Sequence, residues 1–310
     1  MKRFSSPLSL LLLAALSLLG AAQQKLPRIP YDSFVKPAEN PIIRADSTYV
    51  FFCPMKKDTV RWQRADVFNP AAIVKDGKIM LLYRSEDNPA AHLGGRTSRI
   101  GLAESTDGIH FTKYPTPVLY PAQDDFSPYD APGGCEDPRV VVTAEGTYVM
   151  AYTSWNYHTP RLSIAFSKDL KTWEKKGPAF ATAYSGKFKD MASKSGSILT
   201  QMKGGQYVAA KIKGKYWMYW GEHGVNLAWS ENLYDWHPEL NESGDLHYLI
   251  QPRSGKFDSD LTECGPPALI TDEGVVLIYN GKNSGSAEKA SAELPQNTYS
   301  VGQHHAFVSD

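Results

Sequence analysis

The chain has few of the residues that disulfide-rich and zinc-binding proteins need. It contains three cysteines, Cys53, Cys135 and Cys264, which are too few for a disulfide framework. They are not spaced as zinc ligands, either with one another or with the eight histidines. One bridge, between Cys135 and Cys264, is open to the chain, but buried free thiols are the favoured interpretation. We expect no required metal.

The chain also lacks a net charge, since 33 basic residues balance 33 acidic ones. Such a chain has no overall field that favours nucleic acid or an anionic membrane. We therefore expect neutral molecules as partners, with no nucleic acid and no membrane. The sequence leaves the oligomeric state open.

A long apolar run occurs at the N-terminus. Residues 1–22 combine a basic start, Lys2 and Arg3, with a leucine-rich stretch that is short for a membrane span and ends in small residues. This pattern predicts a signal peptide cleaved near Ala22 and an exported protein, periplasmic or extracellular. Residues 23–310 then form one mature domain.

Elsewhere a helical apolar period is almost absent. Short β-branched and aromatic runs, separated by Gly, Asp and Asn, predict an all-β fold. Three segments share an alanine, a serine two residues later and an aromatic residue six after the serine: RIGLAESTDGIHF, RLSIAFSKDLKTW and GVNLAWSENLYDW. The shared serine turn is predicted to be structural, with the aromatic residue packed beneath it.

A second block, with two apolar runs around a turn, precedes each of these segments and appears a fourth time from Gly265. Each block is typical of a β-hairpin. Two hairpins per repeat, with a period near 60 residues, favour the blades of a β-propeller; a β-sandwich is the alternative. About four blades are represented, and we expect the last to be incomplete, because it ends at Asp310 without the usual turn.

Residues unique to one repeat are better functional candidates than shared ones. Where the first hairpin begins, the repeats have Asn69-Pro70, Asp137-Pro138, Gly196-Ser197 and Pro266-Pro267, so the blade itself does not require a carboxylate. We expect Asp137, extended before its proline, to point into a central cleft and its neighbour Glu136 to face the other way. The structural alternative is that Asp137 forms an ion pair with Arg139 or caps a turn.

A second carboxylate has to come from another repeat. The strand tyrosine of each hairpin is followed three residues later by Glu86, Trp155, Glu222 and Lys282, which are expected at a similar level around the axis. Glu263 enters from the same end as Asp137. Glu222 and Glu263 are thus predicted to face Asp137 across a cavity; ordinary surface loops are the alternative.

A series of motifs, GGCEDPR, SRIGLAESTDG, KSGSI, GKYWMYWGE and ECGPPALITDEGVVLIYNGKN, resembles that of glycoside hydrolase family 130. The resemblance covers nearly all of the mature chain. It implies a five-bladed β-propeller that acts on β-mannosides, with Asp137 as the general acid. Some members of that family transfer mannose to phosphate with inversion, and others are inverting hydrolases.

The two activities need opposite charges around the nucleophile. Phosphate requires Arg and Lys, whereas a water molecule activated by a general base requires a carboxylate. Two glutamates, Glu222 and Glu263, would repel phosphate, so we favour hydrolysis with inversion. A β-mannoside phosphorylase, with inorganic phosphate as co-substrate, and a non-catalytic glycan-binding propeller are the alternatives. No cofactor is expected.

Polar and aromatic side chains around these acids suit a sugar, because hydroxyl groups need hydrogen bonds and the C–H face of a pyranose packs on flat rings. The predicted substrate-binding residues are Asn69, Arg84, Arg96, Arg99, Arg139, Trp155, Lys194 and Tyr219.

Overall fold

The computed structural model describes residues 35–306, so the predicted signal peptide lies outside the described residues. Regular structure within this range is almost entirely β. The exceptions are one short helix, α1 (Ser127–Asp130), and a 3-10 turn at Ala183–Gly186. No helix in this range is long and apolar enough to cross a membrane. The all-β prediction is confirmed.

Four antiparallel sheets follow one another along residues 66–306, and each corresponds to one sequence repeat. A short hairpin, β1 (Phe51–Cys53) with β2 (Asp58–Val60), precedes them. The first sheet contains β3 (Asp66–Lys75), β4 (Lys78–Glu86), β5 (Ser98–Ser105) and β6 (Thr112–Lys113). The second contains β7 (Gly134–Val142), β8 (Tyr148–Trp155), β9 (Pro160–Ser167) and β10 (Glu174–Pro178).

The third sheet is the most divided. It contains β11 (Gly196–Lys203), β12 (Gln206–Ala209), β13 (Lys211–Ile212), β14 (Lys215–Trp220), β15 (Val225–Ser230), β16 (His237–Pro238) and β17 (Tyr248–Ile250). The fourth contains β18 (Leu261–Cys264), β19 (Ala268–Thr271), β20 (Gly274–Lys282) and β21 (Tyr299–Ala306).

Neighbouring sheets meet through parallel contacts. Strand β11 pairs with β19 at Leu199 and Ala268, and β12 pairs with β7 at Val208 and Val142. Antiparallel sheets whose first strands run parallel around a common axis have the arrangement of a β-propeller. The five blades implied by the family resemblance stay a prediction.

The apolar core lies between the sheets and is divided into separate clusters. Leu82 of the first sheet packs with Met150 of the second, Ile164 of the second packs with Met218 of the third, and Leu199 of the third packs with Leu277 of the fourth. Strand residues with side chains on alternate faces therefore contribute to two different interfaces. This packing orients the first strand of each sheet toward the axis.

The repeated serine turn is structural, as predicted. In each copy the serine hydroxyl accepts backbone N–H bonds from the residues two and three positions later, as Ser167 does from Asp169 and Leu170. The indoles of Trp173 and Trp236 donate to backbone carbonyls within the same turns. The turn lies away from the carboxylate candidates and connects the outer strands of the first three sheets.

All three cysteines are buried free thiols. The favoured interpretation is therefore confirmed, and Cys135 does not pair with Cys264. The Cys135 thiol donates weakly to Asp130 at 3.8 Å, and burial raises its pKa well above the usual value.

Candidate active site

Three inner strands have a residue in the left-handed backbone region within the strand or directly before it. Asn69 has φ 46°, Asp137 has φ 49° and Ser195 has φ 58°. Asn69 and Asp137 lie in β-bulges, since the register of β3 and of β7 shifts at these points. Such conformations cost about 1–3 kcal/mol in non-glycine residues and cluster at functional sites. The three side chains converge at one end of the axis.

The expected extended conformation of Asp137 was wrong, and so was the expected opposite orientation of Glu136. Strict alternation holds only for regular pairing, whereas the bulge adds a residue and turns the chain. As a result, the carboxylates of Glu136 and Asp137 both contact the guanidinium group of Arg84. Aspartate tolerates the left-handed region better than most residues, which permits this arrangement.

Arg84, on β4, is the centre of a buried charge cluster. Its Nη2 atom lies 2.6 Å from Glu86 Oε1 and 2.9 Å from Glu136 Oε1, and its Nη1 atom lies 3.2 Å from Asp137 Oδ1. All four side chains are buried. The Arg84 Nε atom donates to the Ser98 hydroxyl at 3.1 Å, which completes the network.

Asp137 has two further partners from other sheets. Asn69 Nδ2 donates to Oδ1 at 2.8 Å, and Lys194 Nζ lies 3.6 Å from Oδ2. Burial by itself would raise the pKa of Asp137, but the charges of Arg84 and Lys194 and the Asn69 hydrogen bond outweigh it and lower the pKa to about 2. In the free protein Asp137 is therefore an oriented carboxylate at neutral pH.

Glu222 and Glu263 reach the same end of the axis. Lys194 Nζ lies 3.9 Å from Glu222 Oε1, so Glu222 Oε1 and Asp137 Oδ2 are no farther apart than the sum of their two distances to that Nζ atom, about 7.5 Å. Glu263 accepts a hydrogen bond of 2.5 Å from the Ser195 hydroxyl and lies 3.6 Å from Arg139 Nη2. Both glutamates therefore lie close to cations of the cluster around Asp137.

Arg139 connects the second sheet to the fourth. Its guanidinium donates to the carbonyls of Gly265 and Cys264, at 2.9 and 2.8 Å, and to the carbonyl of Asp137 at 2.9 Å. The Asp137 carboxylate pairs with Arg84 and Lys194 instead. Arg139 thus links the backbone of β7 to the segment after β18.

Two predicted substrate-binding residues lie elsewhere. Arg99 is fully buried on the opposite face of β5 from Ser98 and pairs with Asp87 at 3.0 Å. Tyr219 is buried in the apolar cluster between the third and fourth sheets. Both corrections have the same cause. Successive residues of a strand place their side chains on opposite faces of the sheet, so Arg99 and Tyr219 lie on the other face from their sequence neighbours.

Arg96 and Trp155 lie at the edge of the charge cluster. Arg96 Nη1 is 3.0 Å from Glu86 Oε2 and also pairs with Asp66. The Trp155 indole donates to the Gly94 carbonyl at 2.8 Å, in the loop before β5. These partners hold both side chains beside the cluster rather than against Asp137.

A cavity of about 220 Å³ adjoins Lys194 and Glu222. Its walls also include Met191, His223 and Tyr248. The Tyr248 ring is 47% exposed and packs over Gly224, where a Cβ atom would lie 2.6 Å from it. A larger groove of about 840 Å³ lies at the opposite ends of the strands and contains none of the clustered carboxylates. Of these two cavities, the smaller one therefore adjoins the charge cluster, through Lys194 and Glu222.

Sequence reasoning missed Ser195, Ser98 and Tyr248. Ser195 was missed by a shift of one residue: the left-handed position equivalent to Asp137 is Ser195, not Gly196. Aligning the third repeat one residue earlier, at Ser195, would have found it. No sequence signal marks Tyr248, because an exposed aromatic residue in a long connection has no repeat counterpart.

Comparison with known proteins gives one consistent result. The family model described as "beta-1,4-mannooligosaccharide phosphorylase" of glycoside hydrolase family 130 matches residues 36–303. A 1,2-beta-oligomannan phosphorylase of Thermoanaerobacter sp. (strain X514) is 30% identical over 244 residues, covering 77% of this chain and 72% of that protein.

Solved structures are more similar still. A glycosyl hydrolase from Bacteroides ovatus is 48% identical with a TM-score of 0.88, covering 93% of this chain and 80% of that one. Another is 51% identical with a TM-score of 0.86, covering 91% and 79%; its description states that the GH130 family of mannoside phosphorylases contains glycoside hydrolases that target β-1,2 mannosidic linkages in Candida mannan. The chain therefore belongs to glycoside hydrolase family 130 and is an enzyme that acts on glycosides.

Proposed function

We propose that the protein hydrolyses β-mannosidic linkages in manno-oligosaccharides with inversion. Asp137 supplies the proton to the leaving oxygen, and Glu222 or Glu263 activates the attacking water. The similar hydrolase structure and the β-1,2-specific relative make a β-1,2-linked mannoside the first substrate to test. We also propose export, on the basis of the signal pattern in residues 1–22.

The main observation in favour of hydrolysis is that the cations around Asp137 are already paired with carboxylates. A phosphate site needs basic groups whose charge is free for the anion. Within residues 35–306, Arg84, Arg96, Arg99 and Lys194 each already contact carboxylates. Arg139 is held by three backbone carbonyls. An incoming phosphate would meet neutralised cations and the carboxylates of Glu222 and Glu263.

The lowered pKa of Asp137 fits a proton donor that is ionised in the free enzyme and becomes protonated only with substrate bound. A neutral sugar that excludes water and weakens the Lys194 contact removes part of the stabilisation of the carboxylate, so the pKa of Asp137 rises. The donor is then protonated where the leaving oxygen lies. In the free enzyme the same carboxylate is held in position by Arg84 and Asn69.

The direct test is product analysis with and without phosphate. We expect β-1,2-mannobiose to release mannose in phosphate-free buffer, with the α-anomer appearing first by NMR, because inversion of a β-linkage gives the α-product. Added phosphate is expected to leave the rate unchanged and to give no mannose 1-phosphate. Turnover that requires phosphate would assign the chain to the phosphorylases, as the names of its curated relatives favour.

The cavity beside Glu222 is proposed to hold the leaving-group sugar, with Tyr248 as its stacking surface. Replacing Tyr248 by Ala is expected to raise KM for mannobiose about tenfold, which corresponds to about 1.4 kcal/mol, and to leave hydrolysis of an activated aryl mannoside nearly unchanged. Steady-state kinetics on both substrates check this. Tyr234→Ala, in an exposed tyrosine at the other end of the third sheet, is the matched control. An equal loss on both substrates would remove Tyr248 from this role.

A further inference from the structure

Arg84 contacts three buried carboxyl groups, and two of them have a second cation. Glu86 Oε2 lies 3.0 Å from Arg96 Nη1, and Asp137 Oδ2 lies 3.6 Å from Lys194 Nζ. Within residues 35–306, Glu136 has Arg84 alone at ion-pair distance, 2.9 Å, and the Ser98 hydroxyl at 3.4 Å. One guanidinium charge cannot neutralise three carboxylates. Glu136 is therefore the group at which a bound proton is most favourable.

The charged groups that face Glu136 are few. Arg84 and Glu86 come from β4, Asp137 is its neighbour in β7, and Lys194 precedes β11. Burial raises the pKa of Glu136, the negative charges of Asp137 and Glu86 add to this effect, and Arg84 and Lys194 oppose it; the resulting pKa is about 7.

A buried hydroxyl group lies on the strand beside Glu136. Thr153 lies directly opposite Glu136 in the β7–β8 pair, so both side chains emerge on the same face of the sheet. The Thr153 hydroxyl is buried and has no hydrogen-bond partner among the described residues. A neutral carboxyl group in this position adds a donor that an ionised one lacks.

We propose that Glu136 is a positioning residue that stays protonated in the active enzyme, so that the charge of Arg84 remains available to hold Asp137. The inference rests on the proposed function, because it assigns Asp137 the reacting position. An ionised Glu136 would compete with Asp137 for Arg84 and would repel its carboxylate. Loss of the Glu136 proton should therefore displace the proton donor and reduce turnover.

The first test needs no substrate. A carboxyl group whose pKa is raised from 4.5 to about 7 on folding lowers stability as pH increases through that interval, because the folded state keeps a proton that the unfolded state has lost. Thermal melting of wild type and Glu136→Gln between pH 4.5 and 8 should show the variant gaining Tm relative to wild type as pH rises. If the plots of Tm against pH for the two proteins run parallel, the proposal is overturned. It is also overturned if E136Q does not fold, since glutamine reproduces the neutral side chain.

The second test is the pH dependence of kcat/KM on a β-mannoside. The kcat/KM of wild type should fall as pH rises through about 7, which gives the profile an alkaline limb. E136Q should keep at least half of the wild-type kcat/KM at pH 6, and its profile should lack this limb. Glu86→Gln is the contrasting variant: it removes a charge that raises the pKa of Glu136, so its limb should remain and move to lower pH. An unchanged limb in E136Q, or a loss above tenfold at pH 6, would overturn the proposal. If wild type cleaves no β-mannoside, the proposed function fails, and the melting comparison still decides whether Glu136 holds its proton.

Discussion

Asp137→Asn is expected to lower kcat on β-1,2-mannobiose by about 10²–10⁴-fold, the range that a positioned general acid contributes, while sugar binding persists. Asparagine has nearly the same shape and can still bond to Asn69, but it cannot donate the required proton. Steady-state kinetics and calorimetric titration with mannobiose measure the two effects separately. A non-catalytic glycan-binding protein would instead show no turnover in wild type and unchanged binding in the variant.

Asp130→Asn is the matched control for this experiment. Asp130 is a buried aspartate just before β7, but it pairs with Lys175 at 2.6 Å behind the strand rather than in the cavity. Its replacement should change Tm and leave kcat within about twofold of wild type. Equal kinetic losses in both variants would indicate a general disturbance of β7, and wild-type turnover in Asp137→Asn would remove Asp137 from the mechanism.

Glu222→Gln is expected to lower kcat by about 10²–10⁴-fold, because a water molecule without a general base is a poor nucleophile at neutral pH. Glu222 lines the cavity, and within residues 35–306 its ion-pair partner is Lys194, at 3.9 Å, whereas Glu263 is engaged by Ser195 and Arg139. We therefore expect Glu222 to act on the water and Glu263 to orient its surroundings. Azide, a nucleophile that needs no deprotonation, should rescue the Glu222 variant and give the α-mannosyl azide.

Glu263→Gln tests the orienting role that this assignment gives to Glu263. It should reduce activity without azide rescue, because the loss comes from the disturbed Ser195 and Arg139 contacts. Glu231→Gln, in the exposed turn at the other end of the third sheet, serves as the control and should behave as wild type. Rescue of Glu263→Gln but not of Glu222→Gln would exchange the two roles.

Much of the fold could be predicted because its signals are local and repeated. The hairpin block recurs four times and the alanine–serine turn three times, so four antiparallel sheets and a structural serine turn followed from comparing the chain with itself. Asp137 emerged by the same comparison, as a carboxylate that the repeat does not need. Arg99 and Tyr219 were misplaced, although strand alternation would have assigned each to the face away from the cavity.

The sequence by itself determined the all-β class and the repeats, because these depend on residue type and on a period of two; it also pointed to Asp137, Glu222 and Glu263 as the candidate carboxylates. The tertiary structure alone decided which charges share a site. A left-handed bulge at Asp137 turned Glu136 onto Arg84, and Lys194 from another sheet completed the cluster. Such contacts join residues more than 50 positions apart through backbone geometry that no local pattern encodes. The protonation of Glu136 depends on that assembly.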